Sequence, residues 1–331
     1  MNLKNVCFYL GLLCFPISIL AFINILYSSY FDFFLSLDSY FITLLVSLLT
    51  GLGLLYFGRH ANKEINFIQQ LILIILTYLL VGFFISIPFY LSNFQVTFVN
   101  SFFESISGLT GTGFSTIKNI KYLDPTLILW RSSSQWIGGL YFLIFLILIF
   151  SNKKFNYKMT DLSYSGDSNF SSEENIKNNI LKIFIFYSVL SIIFFILLNI
   201  SGVRLFNSLN LSMTIISTGG FLPSDSLNKI ISTNFQKLVF IFSLMLSILN
   251  FYLLFNIFNK KIILKEHKED FYLLILSLIF ILLIFFNNVE GLNLIINVIS
   301  SLGNSGLTLV KSDNNLSLFF LFLTMIGGSL I

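Results

Sequence analysis

The chain has 331 residues, of which 56% are hydrophobic and 10% charged, and it carries a formal net charge of +4. A soluble domain has about a quarter charged residues, and a chain this apolar cannot cover a globule with polar surface, so lipid must solvate much of it. The small positive excess bears on orientation in a bilayer rather than on nucleic acid, for which nothing else in the sequence argues.

Taken in chain order, apolar runs long enough to cross a bilayer fall near 6–27, 37–58, 68–92, 126–150, 178–200, 236–258, 270–287 and 315–331. They predict eight spanning helices. The first is no leader peptide, because its apolar run continues to Tyr27 and no small-residue cleavage site follows. Cys7 and Cys14 lie in that run, seven residues or about 10 Å apart along a helix, too far for a disulfide. They read as two small hydrophobes. His60 and His267 stand apart from the cysteines and from each other, so no metal or Cys/His nucleophile pattern forms. The spans hold no convergent His/Asp pair or activated serine, so an enzyme is not expected.

Basic residues mark one side of the membrane. Arg59, Lys63, Lys153, Lys154, Lys158, Lys260, Lys261, Lys265 and Lys268 lie in alternate connections, with Lys4 and Lys177 beside spans on the same side. The other side carries Lys118, Lys121, Arg204, Lys229 and Lys311. By the positive-inside rule the basic side and the N-terminus are expected to be cytoplasmic.

The connections on the opposite side are unusual. After the third, fifth and seventh spans comes an apolar segment of half length, near Phe98–Gly108, Arg204–Thr214 and Leu292–Ser301. Each is too short to cross and too apolar for an ordinary loop, so each reads as a re-entrant helix returning through irregular backbone. The returns are Leu109-Thr-Gly-Thr-Gly-Phe-Ser-Thr116, Ile216-Ser-Thr-Gly-Gly-Phe-Leu-Pro223 and Leu302-Gly-Asn-Ser-Gly-Leu-Thr-Leu309. They align on Gly113-Phe114, Gly220-Phe221 and Gly306-Leu307. A span, half-helix, glycine turn and span thus recur three times. Glycine adopts the dihedrals that point successive carbonyls one way. A ring of such carbonyls replaces the water around a dehydrated potassium ion, and the negative ends of short helices favour a cation there. Carboxylates are nearly absent from the turns, which argues against an acidic ring.

With these residues in place, the chain resembles the Trk/Ktr/HKT superfamily of cation-translocating subunits, nearest its Trk type. The resemblance rests on Ser101-Phe-Phe-Glu-Ser-Ile-Ser-Gly-Leu-Thr-Gly-Thr-Gly113, on Leu129-Trp-Arg-Ser-Ser-Ser-Gln-Trp-Ile-Gly-Gly139 and on Ser217-Thr-Gly-Gly-Phe221. Asn250-Phe251, the stretch Lys265–Asp270 and Met325-Ile-Gly-Gly-Ser329 extend it along the chain. It implies an all-α integral membrane protein of repeated membrane helix, re-entrant pore helix, filter loop and membrane helix, as in potassium channels. The implied divisions are an N-terminal helix pair at 1–66 and pore repeats at 67–158, 159–268 and 269–331. The filter positions are Thr110, Gly111, Thr112 and Gly113, then Ser217, Thr218, Gly219 and Gly220, then Gly303, Asn304, Ser305 and Gly306. Glu104 and Ser107 support the first pore helix, and Gly327, Gly328 and Ser329 stand where a gating segment begins.

The resemblance further implies potassium as the transported ion with no cofactor, a homodimer, and a cytoplasmic nucleotide-binding regulatory subunit. The implied pore has four repeats. Three are present before Ile331, so the fourth is expected to be missing and the ring to be open on one side. A non-conducting remnant of such a subunit is the alternative reading, and an unrelated polytopic secondary transporter is a second.

Some side chains have two readings. Glu104 fixes its helix by hydrogen bonds or binds the cation directly, and the first is preferred. Arg131, beside Trp130 and Trp136, is an interface anchor or packs against the filter region. Asp225 reads as a solvated loop residue rather than an outer-mouth attractor. Gly51, Gly53, Gly138 and Gly139 read as close-packing positions between helices.

Overall fold

The structure, a computed structural model, describes residues 3–61, 65–92, 96–117, 119–150, 173–249, 291–309 and 314–330, with isolated positions between them. Every regular element among these is helical. Ten α-helices are described: α1 Leu3–Tyr30, α2 Leu37–Gly58, α3 Phe67–Leu91, α4 Phe98–Leu109, α5 Pro125–Phe150, α6 Glu173–Ile200, α7 Leu205–Ile216, α8 Asn234–Ile248, α9 Gly291–Leu302 and α10 Asn314–Leu330. Among the described residues, five segments are long and apolar enough to cross a membrane: Leu3–Tyr30, Phe34–Gly58, Phe67–Leu91, Pro125–Ile149 and Ile180–Ile200. The three half-helices appear where the apolar runs placed them, as α4, α7 and α9, each of 12 residues. At 1.5 Å per residue that is about 18 Å, far short of the hydrocarbon thickness. The expected span at 270–287, Asn250-Phe251 and Lys265–Asp270 lie almost wholly outside the described residues.

Helix boundaries follow local chemistry. Thr233 accepts from the Gln236 amide at 3.3 Å while Gln236 Oε1 accepts from the Thr233 amide at 3.2 Å, a capping box that starts α8. Asp124 precedes Pro125 at the start of α5, where proline's missing N–H costs nothing. Its carbonyl accepts from the Leu127 and Ile128 amides at 2.9 and 3.1 Å. Thr97 caps α4 through the Asn100 amide at 3.4 Å.

The chain divides into two compact units. One comprises Met1–Thr110 with Phe114–Phe155, the other Gly111–Gly113 with Asn156–Ile331. In the first unit α1 and α2 pack through small residues. A Cβ on Gly11 would lie 2.9 Å from the Gly51 carbonyl oxygen, and one on Gly58 would lie 2.7 Å from Phe8. Ser18 and Ser47 share a buried 2.8 Å hydrogen bond across the pair. Gly51 is therefore the close-packing residue it was expected to be. Gly53 is not, because it is exposed and nothing lies within 4 Å of its would-be Cβ. Two positions along a helix are about 200° apart, so adjacent glycines of this kind serve different faces.

The half-helix α4 sits between α3 and α5. Gly82 of α3 accommodates Ile106, and Gly138 of α5 accommodates the Leu109 carbonyl; a Cβ at either would collide with that neighbour. In the second unit one apolar core joins the second and third repeats. Phe194 and Leu198 of α6, Leu211 and Ile215 of α7, Phe240 and Leu244 of α8, and Ile296 and Ile299 of α9 all belong to it. A smaller cluster packs Leu294, Val298 and Leu302 of α9 on Phe320 and Leu323 of α10.

Candidate functional site

Each half-helix ends in the same local device. Thr110 and Ser217 are the C-caps of α4 and α7, and their hydroxyls donate back to Ile106 O at 2.7 Å and Met213 O at 2.9 Å. The next residue of each turn enters the left-handed region: Gly111 at φ 69°, Thr218 at 50° and Asn304 at 53°. Two residues later the backbone does so again, at Gly113 (73°), Gly220 (81°) and Gly306 (64°). Left-handed residues at i and i+2 thus recur in all three turns. Glycine takes that conformation without steric cost, whereas threonine and asparagine do not.

The turns approach one another through their backbones. Gly111–Gly113 belongs to the second unit, where a Cβ on Gly113 would lie 2.5 Å from the Gly219 carbonyl oxygen. A Cβ on Gly220 would likewise lie 2.5 Å from the Ser305 carbonyl oxygen. Nothing lies within 4 Å of the corresponding point on Gly306. Gly111 and Gly113 thus lie beside Ser217, Gly219 and Gly220, and Gly220 lies beside Ser305.

Behind the turns, side chains tie the returning backbone to the half-helix. Ser107 Oγ donates to Phe114 O at 2.6 Å, and Thr214 Oγ1 donates to Phe221 O at 2.9 Å. In the third repeat Ser300 bonds instead to the Ser305 hydroxyl at 2.9 Å. Phe221 and Leu307 are 2% and 0% exposed, whereas Phe114 is 72% exposed, so the apolar residue after the last glycine anchors only the second and third turns.

The first turn has a different anchor. Glu104, fully buried, accepts from the Thr116 amide at 3.0 Å and lies 2.9 and 3.1 Å from the Ser115 hydroxyl. Arg131 closes the group, with Nε 2.9 Å and Nη2 2.8 Å from Glu104 Oε1 and Nη2 donating to Ser115 Oγ at 3.1 Å. The Arg131 side chain is 1% exposed, which removes the interface-anchor reading and places it against the segment that follows the first turn. Glu104 thus holds the backbone that follows the first turn. Asp225 pairs at 3.1 Å with the exposed Lys229.

Ser115, Thr116 and Asn297 were missed in the sequence. Asn297 Oδ1 accepts from the Leu309 amide at 2.9 Å. The overlooked signal was spacing: Glu104 and Thr116, like Asn297 and Leu309, are twelve residues apart.

The gating expectation meets helix. Gly327, Gly328 and Ser329 lie inside α10, which continues to Leu330. Gly327 meets the Leu302 carbonyl as Gly138 meets that of Leu109, each glycine packing on the last residue of its half-helix. Trp136-Ile-Gly-Gly139 and Met325-Ile-Gly-Gly328 are therefore counterparts in two repeats.

This geometry has relatives. An uncharacterized cation transporter of Methanocaldococcus jannaschii is 29% identical over 302 residues, 86% of this chain and 61% of that protein. Trk system potassium uptake protein TrkG of Escherichia coli is 24% identical over 256 residues, 72% of this chain and 51% of that protein. The chain spans only that part of the length of these relatives. The crystal structure of the potassium transporter TrkH from Vibrio parahaemolyticus superposes with a TM-score of 0.80 at 19% identity, covering 98% of this chain and 70% of that one. The common fold is an all-helical membrane fold, and the unrelated polytopic carrier is set aside. The model of the TrkH cation transport proteins matches residues 36–325, from the start of α2 through the third glycine turn and most of α10, and the chain belongs to that family.

Proposed function

We propose that the chain supplies the ion-conducting part of a Trk-type potassium uptake system. The observation that carries this reading is the threefold recurrence of left-handed residues at 111 and 113, 218 and 220, and 304 and 306, each behind a half-length helix. Backbone of this kind at membrane depth is tolerated where it is buried in protein or lines a path for ions. Carbonyls in such turns replace an ion's water, and the helix C-termini behind them add favourable dipoles. The names of the relatives, a cation transporter and a Trk system potassium uptake protein, agree with potassium as substrate.

On this reading residues 1–66 form an N-terminal helix pair, and 67–158, 159–268 and 269–331 are three pore repeats. The basic connections support an N-terminus in the cytoplasm and a place in a bacterial inner membrane. A second copy and a cytoplasmic nucleotide-binding subunit are the partners that go with Trk-type uptake.

The test is potassium or rubidium uptake in cells lacking their own uptake systems. Gly113→Ala and Gly220→Ala each place a Cβ 2.5 Å from a carbonyl oxygen at positive φ. Each is expected to lower uptake more than about tenfold, equivalent to ~1.4 kcal/mol, with the protein still in the membrane. Uptake indifferent to both changes sinks the reading.

A further inference from the structure

The three returning segments hold one position in three chemically matched ways. Position 116 of the first repeat corresponds to 223 in the second and 309 in the third, counted from Gly113, Gly220 and Gly306. The residue twelve places earlier is Glu104, Leu211 and Asn297 respectively. Where the returning residue has an amide, the earlier residue accepts it: Thr116 N to Glu104 at 3.0 Å, and Leu309 N to Asn297 at 2.9 Å. Where it is Pro223, which has no N–H, the earlier residue is the fully buried Leu211. Acceptor and donor are present together or absent together, as the cost of a buried unpaired polar group requires.

The three struts differ in chemistry. The second turn has an anchored Phe221 and a φ fixed by Pro223. The third has a buried Leu307 and a neutral amide acceptor. The first has an exposed Phe114 and holds its backbone with buried charge, Glu104 against Arg131 and Ser115. Charge-assisted hydrogen bonds are roughly twice as strong as neutral ones.

We propose that Glu104 and Arg131 are positioning residues that substitute an ionic strut for the apolar anchor of the other turns, fixing the backbone after Gly113 and thereby the cation preference of the site. The preference rests on the proposed conducting role, whereas the strut does not. Two measurements separate them. In purified full-length protein, the Thr116 amide should exchange hydrogen about tenfold or more faster in Glu104→Gln than in wild type, as loss of a charge-assisted bond requires. The Leu309 amide should be unchanged in that variant and should be the one released by Asn297→Ala. In cells, Glu104→Gln and Arg131→Leu should lose discrimination between potassium and sodium, while Arg131→Lys, which keeps the charge, should retain part of it.

Unchanged exchange at Thr116 overturns the strut. Faster exchange with intact discrimination in an active transporter overturns its role in ion preference. If wild-type protein moves no potassium, the conducting role fails and exchange alone decides the strut. If Glu104→Gln does not fold, Arg131→Lys carries both measurements.

Discussion

Glycines in the three turns do unequal work, and the difference is local. Gly220 combines φ of 81° with a carbonyl oxygen 2.5 Å from its would-be Cβ, whereas Gly306 combines φ of 64° with open space. Gly306→Ala should therefore cost only the left-handed penalty of about 1–2 kcal/mol. Gly220→Ala should cost clearly more, because backbone must also move. Thermal melting of the two variants in one detergent checks the order. Gly113, Gly220 and Gly306 were legible because glycine announces positive φ. The companion positions were less so: only Gly111 is glycine, Asn304 carries the weaker signal of asparagine, and Thr218 adopts the same region without any local signal. Arg131 was ambiguous for another reason. An interface anchor and a buried strut have the same flanking sequence, and the deciding partner, Glu104, lies 27 residues away.

At the scale of elements, the half-helices were readable from length and apolarity alone, since about ten apolar residues neither span nor loop. Their seating was less so. Gly138 and Gly327 each leave room for the last carbonyl of a half-helix, and a methyl group there would push α5 or α10 off its partner. Gly138→Ala is expected to destabilise by about 1–3 kcal/mol, the usual cost of overpacking. Gly53→Ala has nothing within 4 Å and should instead gain up to about 1 kcal/mol of helix propensity. Melting temperatures that fall together for the two variants would refute the distinction. The glycine pair near 327 was read as the edge of a gating segment because its motif was compared with the family. Comparison with Trp136-Ile-Gly-Gly139 in the same chain adds a packing role for Gly327 beside that expectation.

For the whole molecule, alternation of spans and basic connections predicts an orientation that can be checked directly. In a Cys7→Ser/Cys14→Ser background, a cysteine at Lys229, which is 61% exposed, should react with a membrane-impermeant maleimide in intact cells. A cysteine at Lys4 should react only after lysis. Reaction at Lys4 from outside would reverse the topology. The repeat architecture was legible because three short motifs align without gaps through the turns. The grouping into two units, with Gly111–Gly113 clustering with the second, was not, because it depends on backbone approach between turns far apart in sequence.

The twelve-residue spacing behind each turn sets what can be exchanged between repeats. A chimera that moves the segment ending in Pro223 into the first repeat would strand the Glu104 carboxylate without its amide. The reverse graft would bring the Thr116 amide to a leucine. Functional swaps must carry the half-helix residue with the turn, so the transplantable cassette is at least thirteen residues long, running from 104 to 116, 211 to 223 or 297 to 309. For the first repeat even that is too short, because its charge is balanced from α5 by Arg131.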